Sequence, residues 1–94
     1  MILKDTILKE AVRVVRQRGL AGLTRRLVAN GAGCAVGTVN YHFESMADLC
    51  AEVIAHAVAA EDIQLLARNI GDPKVTAKLS PELKARVAKY IAGR

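Results

Sequence analysis

Apolar positions at helical spacing divide the chain into a series of short amphipathic segments. Ile7, Leu8, Ala11, Val14 and Val15 share one side of a helix predicted over 4–18, with Lys9, Arg13, Arg16 and Gln17 largely outside that stripe. Gly19 is suited to end it. Leu20–Leu23 is a connection that tucks Leu20 or Leu23 into the core. Thr24 is placed to cap a second helix, whose apolar side is Leu27, Val28 and Ala32 and whose other side carries Arg25, Arg26 and Asn30. Gly31 and Gly33 then permit a sharp corner. Beyond the corner, Val39 and Phe43 stand four apart on one face of a third helix, opposite Gly37, Thr38, Asn40, Tyr41 and His42. Two short helices joined by a tight turn form a helix-turn-helix, the unit that lays its second helix in a DNA major groove.

The pattern changes after Phe43. Ser45, with Asp48 three residues on, signals the start of a helix. Leu49, Val53, His56, Ala60, Ile63, Ala67 and Ile70 then step by four and three, as a heptad seam does, and Ile54, Ala57 and Leu66 widen the stripe. That periodicity predicts one long helix over about 45–70. Gly71-Asp72-Pro73 breaks it, and Ser80-Pro81-Glu82 starts a final helix over 81–92 with Leu83, Val87, Tyr90 and Ile91 on its apolar side. The expected fold is therefore all-α. A three-helix unit over 1–46 precedes a helical segment over 47–94, in which a long and a short helix form a dimerisation hairpin. Its expected contacts are Val53, His56, Ala60, Ile63, Leu66, Ala67, Ile70, Leu83, Val87, Tyr90 and Ile91.

Composition narrows the classes. At 94 residues the chain holds one domain, and folding at this size buries roughly 60–65% of the unfolded surface. Aromatics are 3% of the chain, so Leu, Ile, Val and Ala must make the core. No apolar run approaches a membrane span and no signal-peptide pattern opens the sequence, which makes a cytoplasmic chain the expectation. Cys34 and Cys50 match no zinc spacing and read as reduced, small apolar residues. No metal or other cofactor is expected, and His56 on the apolar seam reads as an interface or core histidine. No paired carboxylates, nucleophile–base set or phosphate loop suggests an enzyme.

The net charge of +5 is unevenly spread. Residues 1–43 hold seven Lys/Arg against two acids, residues 44–70 one against five, and residues 71–94 six against two. A basic stretch beside an acidic one fits a molecule with one phosphate-facing side.

The order Ile7-Leu8, Ala11, Val14-Val15, Gly19, Thr24, Val28-Ala29, Ala32-Gly33, Gly37-Thr38-Val39, Tyr41-His42-Phe43 and Leu49 resembles the N-terminal DNA-binding domain of TetR-family repressors. The resemblance implies roles residue by residue. Arg25 becomes the chief base reader, since a guanidinium pairs bidentately with guanine. Thr24 and Arg26 would sit at phosphate. Val36, Gly37 and Thr38 would open the recognition helix in the groove, Val36 touching a thymine methyl, Gly37 allowing close approach and Thr38 bonding either a phosphate or a base. Tyr41 and His42 would hold phosphate at its end, and Lys4 is a further phosphate candidate. Three positions depart from the family pattern. Ala35 stands where a capping Ser is common, Asn40 where a Tyr is usual, and Met46 where a Lys often grips phosphate. Asn40 has the groups to hydrogen-bond adenine.

The resemblance implies a homodimeric bacterial repressor on a palindromic operator. Only a short segment follows the reading unit, so neither an inducer pocket nor a small-molecule ligand is expected. Such a compact regulator suits a plasmid or phage. The initial Met and closed final helix lead to the expectation of a natural chain, against the alternative of a piece cut from a longer repressor. The competing reading is a heterodimerising module that antagonises a full-length repressor, favoured by the weak phosphate anchoring at Ala35 and Met46.

Overall fold

A computed structural model describes residues 4–93, and the described residues contain helices and no strands. The helices are α1 (Lys4–Arg18), α2 (Arg25–Ala32), α3 (Val36–His42), α4 (Met46–Ala59), α5 (Ile63–Arg68), α6 (Pro73–Thr76) and α7 (Pro81–Ala92). A single 3₁₀ turn, Leu20–Gly22, joins α1 to α2. The molecule is elongated, 40 × 22 × 20 Å.

α1 is the central post and packs against α2, α4 and α5. Of its predicted stripe, Ile7, Ala11, Val14 and Val15 are buried and Leu8 is half-buried, and Val12 joins the buried set. Gly19 ends the helix at φ 80°, ψ 169°, a conformation that side chains strongly disfavour, and returns its N–H to the Val15 carbonyl at 2.8 Å.

Local capping chemistry sets most of the other boundaries. Thr24 Oγ1 accepts the Leu27 N–H at 3.1 Å, Ser45 Oγ that of Asp48 at 3.0 Å, and Ser80 Oγ that of Leu83 at 3.1 Å. Each cap satisfies one donor that the first helical turn leaves over, and each falls where its short polar side chain predicted. Pro81 occupies the first turn of α7, where it has no intrahelical N–H bond to lose.

The long helix expected over 45–70 does not exist. α4 stops at Ala59 and the chain turns through Glu61, a non-glycine residue at φ 52°. The Glu61 N–H reaches the Val58 carbonyl at 3.1 Å and the Asp62 N–H the Ala57 carbonyl at 2.8 Å, the bond pair of a Schellman stop. Asp62 then starts α5 by accepting the Leu65 N–H through Oδ1 at 3.2 Å. Its other oxygen, Oδ2, takes both Nε and Nη2 of Arg16 on α1. A cap and an ion pair on one carboxylate outweigh a periodicity that would have run straight through. The break at Gly71-Asp72-Pro73 is present, and it starts the extra helix α6, with Asp72 Oδ1 accepting the Lys74 N–H at 2.9 Å.

The corner also corrects the expected hairpin. α5 folds back on α1 and α4, and α7 covers α5 with Leu83 and Val87. Val53, Leu66, Ala67, Leu83 and Val87, expected at a dimer seam, are buried within the single chain. Leu66 and Ala67 face their own core because the break at Glu61 turns the second half of the stripe inward. Ile63 and Ile70 are half-buried, while His56 and Ala60 lie exposed around the corner. Tyr90 and Ile91 stay exposed at 38% and 42%. One buried cluster therefore runs from Ile7 to Val87, and position 46/47 marks no break in it.

Asn69 ties the halves together. It is buried; its Nδ2 donates to the Leu65 carbonyl at 2.8 Å and its Oδ1 accepts the Leu20 N–H at 2.8 Å. The 3₁₀ turn leading to α2 is thus pinned to the end of α5.

Candidate nucleic-acid interface

α2 and α3 pack against each other across a turn built on Gly33, at φ 72°. The Cys34 N–H bonds the Ala29 carbonyl at 3.0 Å and the Gly33 N–H the Asn30 carbonyl at 3.4 Å, a second Schellman stop. Gly31 stays helical. Its bare Cα makes room for the Glu10 carboxylate, which a Cβ there would strike. Glu10 in turn holds Arg13 at 2.9 Å.

α3 is anchored by Val39, fully buried, and Phe43, nearly so. The remaining residues form the outward face. Val36 is 38% exposed, Gly37 and Asn40 are exposed, and Tyr41 is the most open of the large apolar side chains among the described residues at 83%. At 100° per residue, positions 36, 37, 40 and 41 lie together on one side of the helix. Thr38 and His42 flank that side, half-buried, and the Tyr41 and His42 rings meet edge to face with centroids 5.1 Å apart. Nothing lies within 4 Å of a Cβ built on Gly37. The glycine therefore answers to no need of the fold and leaves bare backbone on the exposed face.

The other predicted residues sit at the start of α2. Thr24 is exposed, with its hydroxyl used by the cap. Arg25 is half-buried and Arg26 exposed; among the described residues, neither guanidinium has a carboxylate in ion-pair range. Both lie in the first turn of a helix that has no acid there. The free N–H groups of that turn add partial positive charge to theirs.

Lys4 is brought to the opposite end of α3. Its ammonium stands 5.1 Å from the Phe43 ring centroid and 4.0 Å from Glu52 Oε2. A shallow recess there is lined by Lys4, Tyr41, His42, Glu44, Asp48 and Glu52. Three carboxylates thus crowd the place where a phosphate grip was expected, an arrangement the sequence shows only as an excess of acids after residue 43. Ala35 precedes α3 with no side-chain cap, Met46 packs half-buried on the core, and Asn40 is exposed on the outward face. Residues 1–3 and 94 lie outside the described residues, and none of the candidate positions falls among them.

The model of a family described as bacterial regulatory proteins, tetR family, matches residues 7–53, the span from the first buried residue of α1 to the middle of α4. No curated protein and no solved structure matches the chain.

Proposed function

Because the chain belongs to the tetR family of bacterial regulatory proteins, whose model covers half of it, we propose that it regulates transcription by sequence-specific binding to double-stranded DNA. In this reading it acts as a repressor, two copies occupying a palindromic operator. The observation that carries the proposal is the division of α3. Val39 and Phe43 hold the helix in the core, while Val36, Gly37, Asn40 and Tyr41 make one uncommitted outward face. A helix fixed on one side and open on the other is what insertion into a major groove requires.

Roles follow from position and chemistry. Arg25, with no carboxylate neighbour, reads guanine, and its half-burial limits the directions its fork can take. Val36 meets a thymine methyl, and Gly37 lets the helix approach closely. Thr38 and Asn40 supply hydrogen-bonding groups to base edges. Thr24, Arg26, Tyr41, His42 and Lys4 face phosphate and set the register. Two copies associate through the exposed apolar edge of α7, at Tyr90 and Ile91, and place their recognition helices about 34–36 Å or somewhat more apart.

Arg25 and Arg26 provide the test, because base and phosphate contacts fail differently. Arg25→Ala should cost about 1–3 kcal/mol and relax preference at one position per half-site. Arg26→Ala should weaken every sequence alike and reduce the salt slope by about one unit. A uniform loss from Arg25→Ala would make Arg25 a phosphate contact instead.

The carboxylates of Glu44, Asp48 and Glu52 beside Tyr41 and His42 favour a second reading. There the chain binds DNA feebly alone and acts by pairing with a longer family member. Tight, salt-sensitive and sequence-selective binding by the chain on its own would contradict that reading.

A further inference from the structure

α6 and the turn after it face α4 across a half-open recess of about 240 Å³, between Cys50, Ala51 and Ile54 on one side and Lys74, Ala77 and Lys78 on the other. Apart from the two lysines, no lining side chain carries nitrogen or oxygen. Among the described residues, neither lysine ammonium has a carboxylate in ion-pair range. Asp72, the nearby acid, accepts the Lys74 N–H through Oδ1 as the cap of α6. Burial pushes the Cys50 thiol above its ordinary range, the Lys74 charge pulls it down and the Asp72 charge raises it again, which puts both the ammonium and this one carboxylate within electrostatic reach of the apolar wall.

These walls select a ligand. A polar molecule would leave its hydrogen bonds unmade against methyl, methylene and thiol groups. A neutral hydrocarbon would make no use of two cations at the edge, whereas an anion there gains charge-assisted bonds. An apolar cavity of about 150 Å³ accepts benzene, so this recess holds a tail of about eight carbons. We propose that the recess between α4 and α6 binds a small amphipathic carboxylate, its tail against Cys50, Ala51 and Ile54 and its head between Lys74 and Lys78. The sequence suggested no such site, because α6 was not foreseen. The site is separate from the outward face of α3, so it stands or fails independently of DNA binding.

Octanoate is the probe, titrated into the whole chain by calorimetry, with alkylation of the two cysteines as a positional readout. Binding should saturate at one site per chain. Affinity should rise roughly fourfold per methylene from hexanoate to octanoate and stop rising at longer chains. Octanoate should slow alkylation of Cys50 and leave Cys34 unaffected. The double variant Lys74→Glu, Lys78→Glu, at two exposed positions, should bind roughly tenfold more weakly. Ala51→Trp, which fills the recess from an exposed position, should abolish binding, with thermal melting to verify that both variants fold. Binding that does not saturate, survives Ala51→Trp or ignores the loss of both lysines would overturn the proposal. So would ligand-free protection of Cys50 that grows with protein concentration, since a second copy would then be the occupant.

Discussion

Glu61 holds a left-handed backbone conformation that glycine adopts freely and a residue with a Cβ does not, at a cost of about 1 kcal/mol. Its side chain reaches Arg86 on α7 at 2.8 Å, but both partners are more than half exposed, and such pairs contribute about 0–1 kcal/mol. Glu61→Gly should therefore raise unfolding stability, by up to about 1 kcal/mol in urea; a loss would mean that the Arg86 pair fastens α7 more firmly than its exposure implies. Gly37 poses the reverse problem. Open space around its Cα makes Gly37→Ala harmless to the fold, and a helical position favours Ala over Gly. Removing the close approach should nevertheless lower operator affinity. A variant that melts normally and binds DNA as before would take Gly37 out of the reading face.

At the scale of elements, Asp62 matters most. It caps α5, holds Arg16 through a part-buried double hydrogen bond, and so fixes the corner against α1. Asp62→Ala should cost about 2–3 kcal/mol in denaturant unfolding, the sum of a cap and a charge-assisted pair. Asp62→Asn, which keeps a capping oxygen, should recover about 1 kcal/mol of that. This corner is also where the sequence was least legible. Thr24, Ser45 and Ser80 announce their helices because a cap and its N–H lie three residues apart, well inside one glance at the chain. Asp62 uses the same chemistry, yet it sits inside an apolar stripe that continues in register on both sides. Periodicity records that Val53, Leu66, Leu83 and Val87 are buried; it does not say whether the burying surface belongs to the same chain or to a copy. Asn69 gave no local signal, since its partner Leu20 lies 49 residues away. The outward face of α3 was readable because two buried residues four apart fix the orientation of everything between them. The place of Lys4 beside α3 was not readable, because the ring and carboxylate that hold it come from residues 43 and 52.

For the whole molecule, the uneven charge and the folded-back C-terminal helices give a different picture from a reading head on a free coiled stalk. The reading unit and the segment after it share one core, bound by Arg16–Asp62 and Asn69–Leu20. In the proposed dimer, association would depend on what the core leaves outside, chiefly the edge of α7. Ile91→Glu should dissociate the dimer in sedimentation and weaken operator binding while leaving the monomer folded, because Ile91 is 42% exposed. An undisturbed dimer would move the interface elsewhere on the surface.

The central claim is that paired α3 helices read DNA sequence, and selection from random double-stranded DNA by the purified chain tests it most directly. An enriched inverted repeat, with half-sites about one helical turn apart or somewhat more and one position per half-site relaxed by Arg25→Ala, is the predicted result. Recovery of DNA with no common sequence, or of a motif without two-fold symmetry, would contradict it.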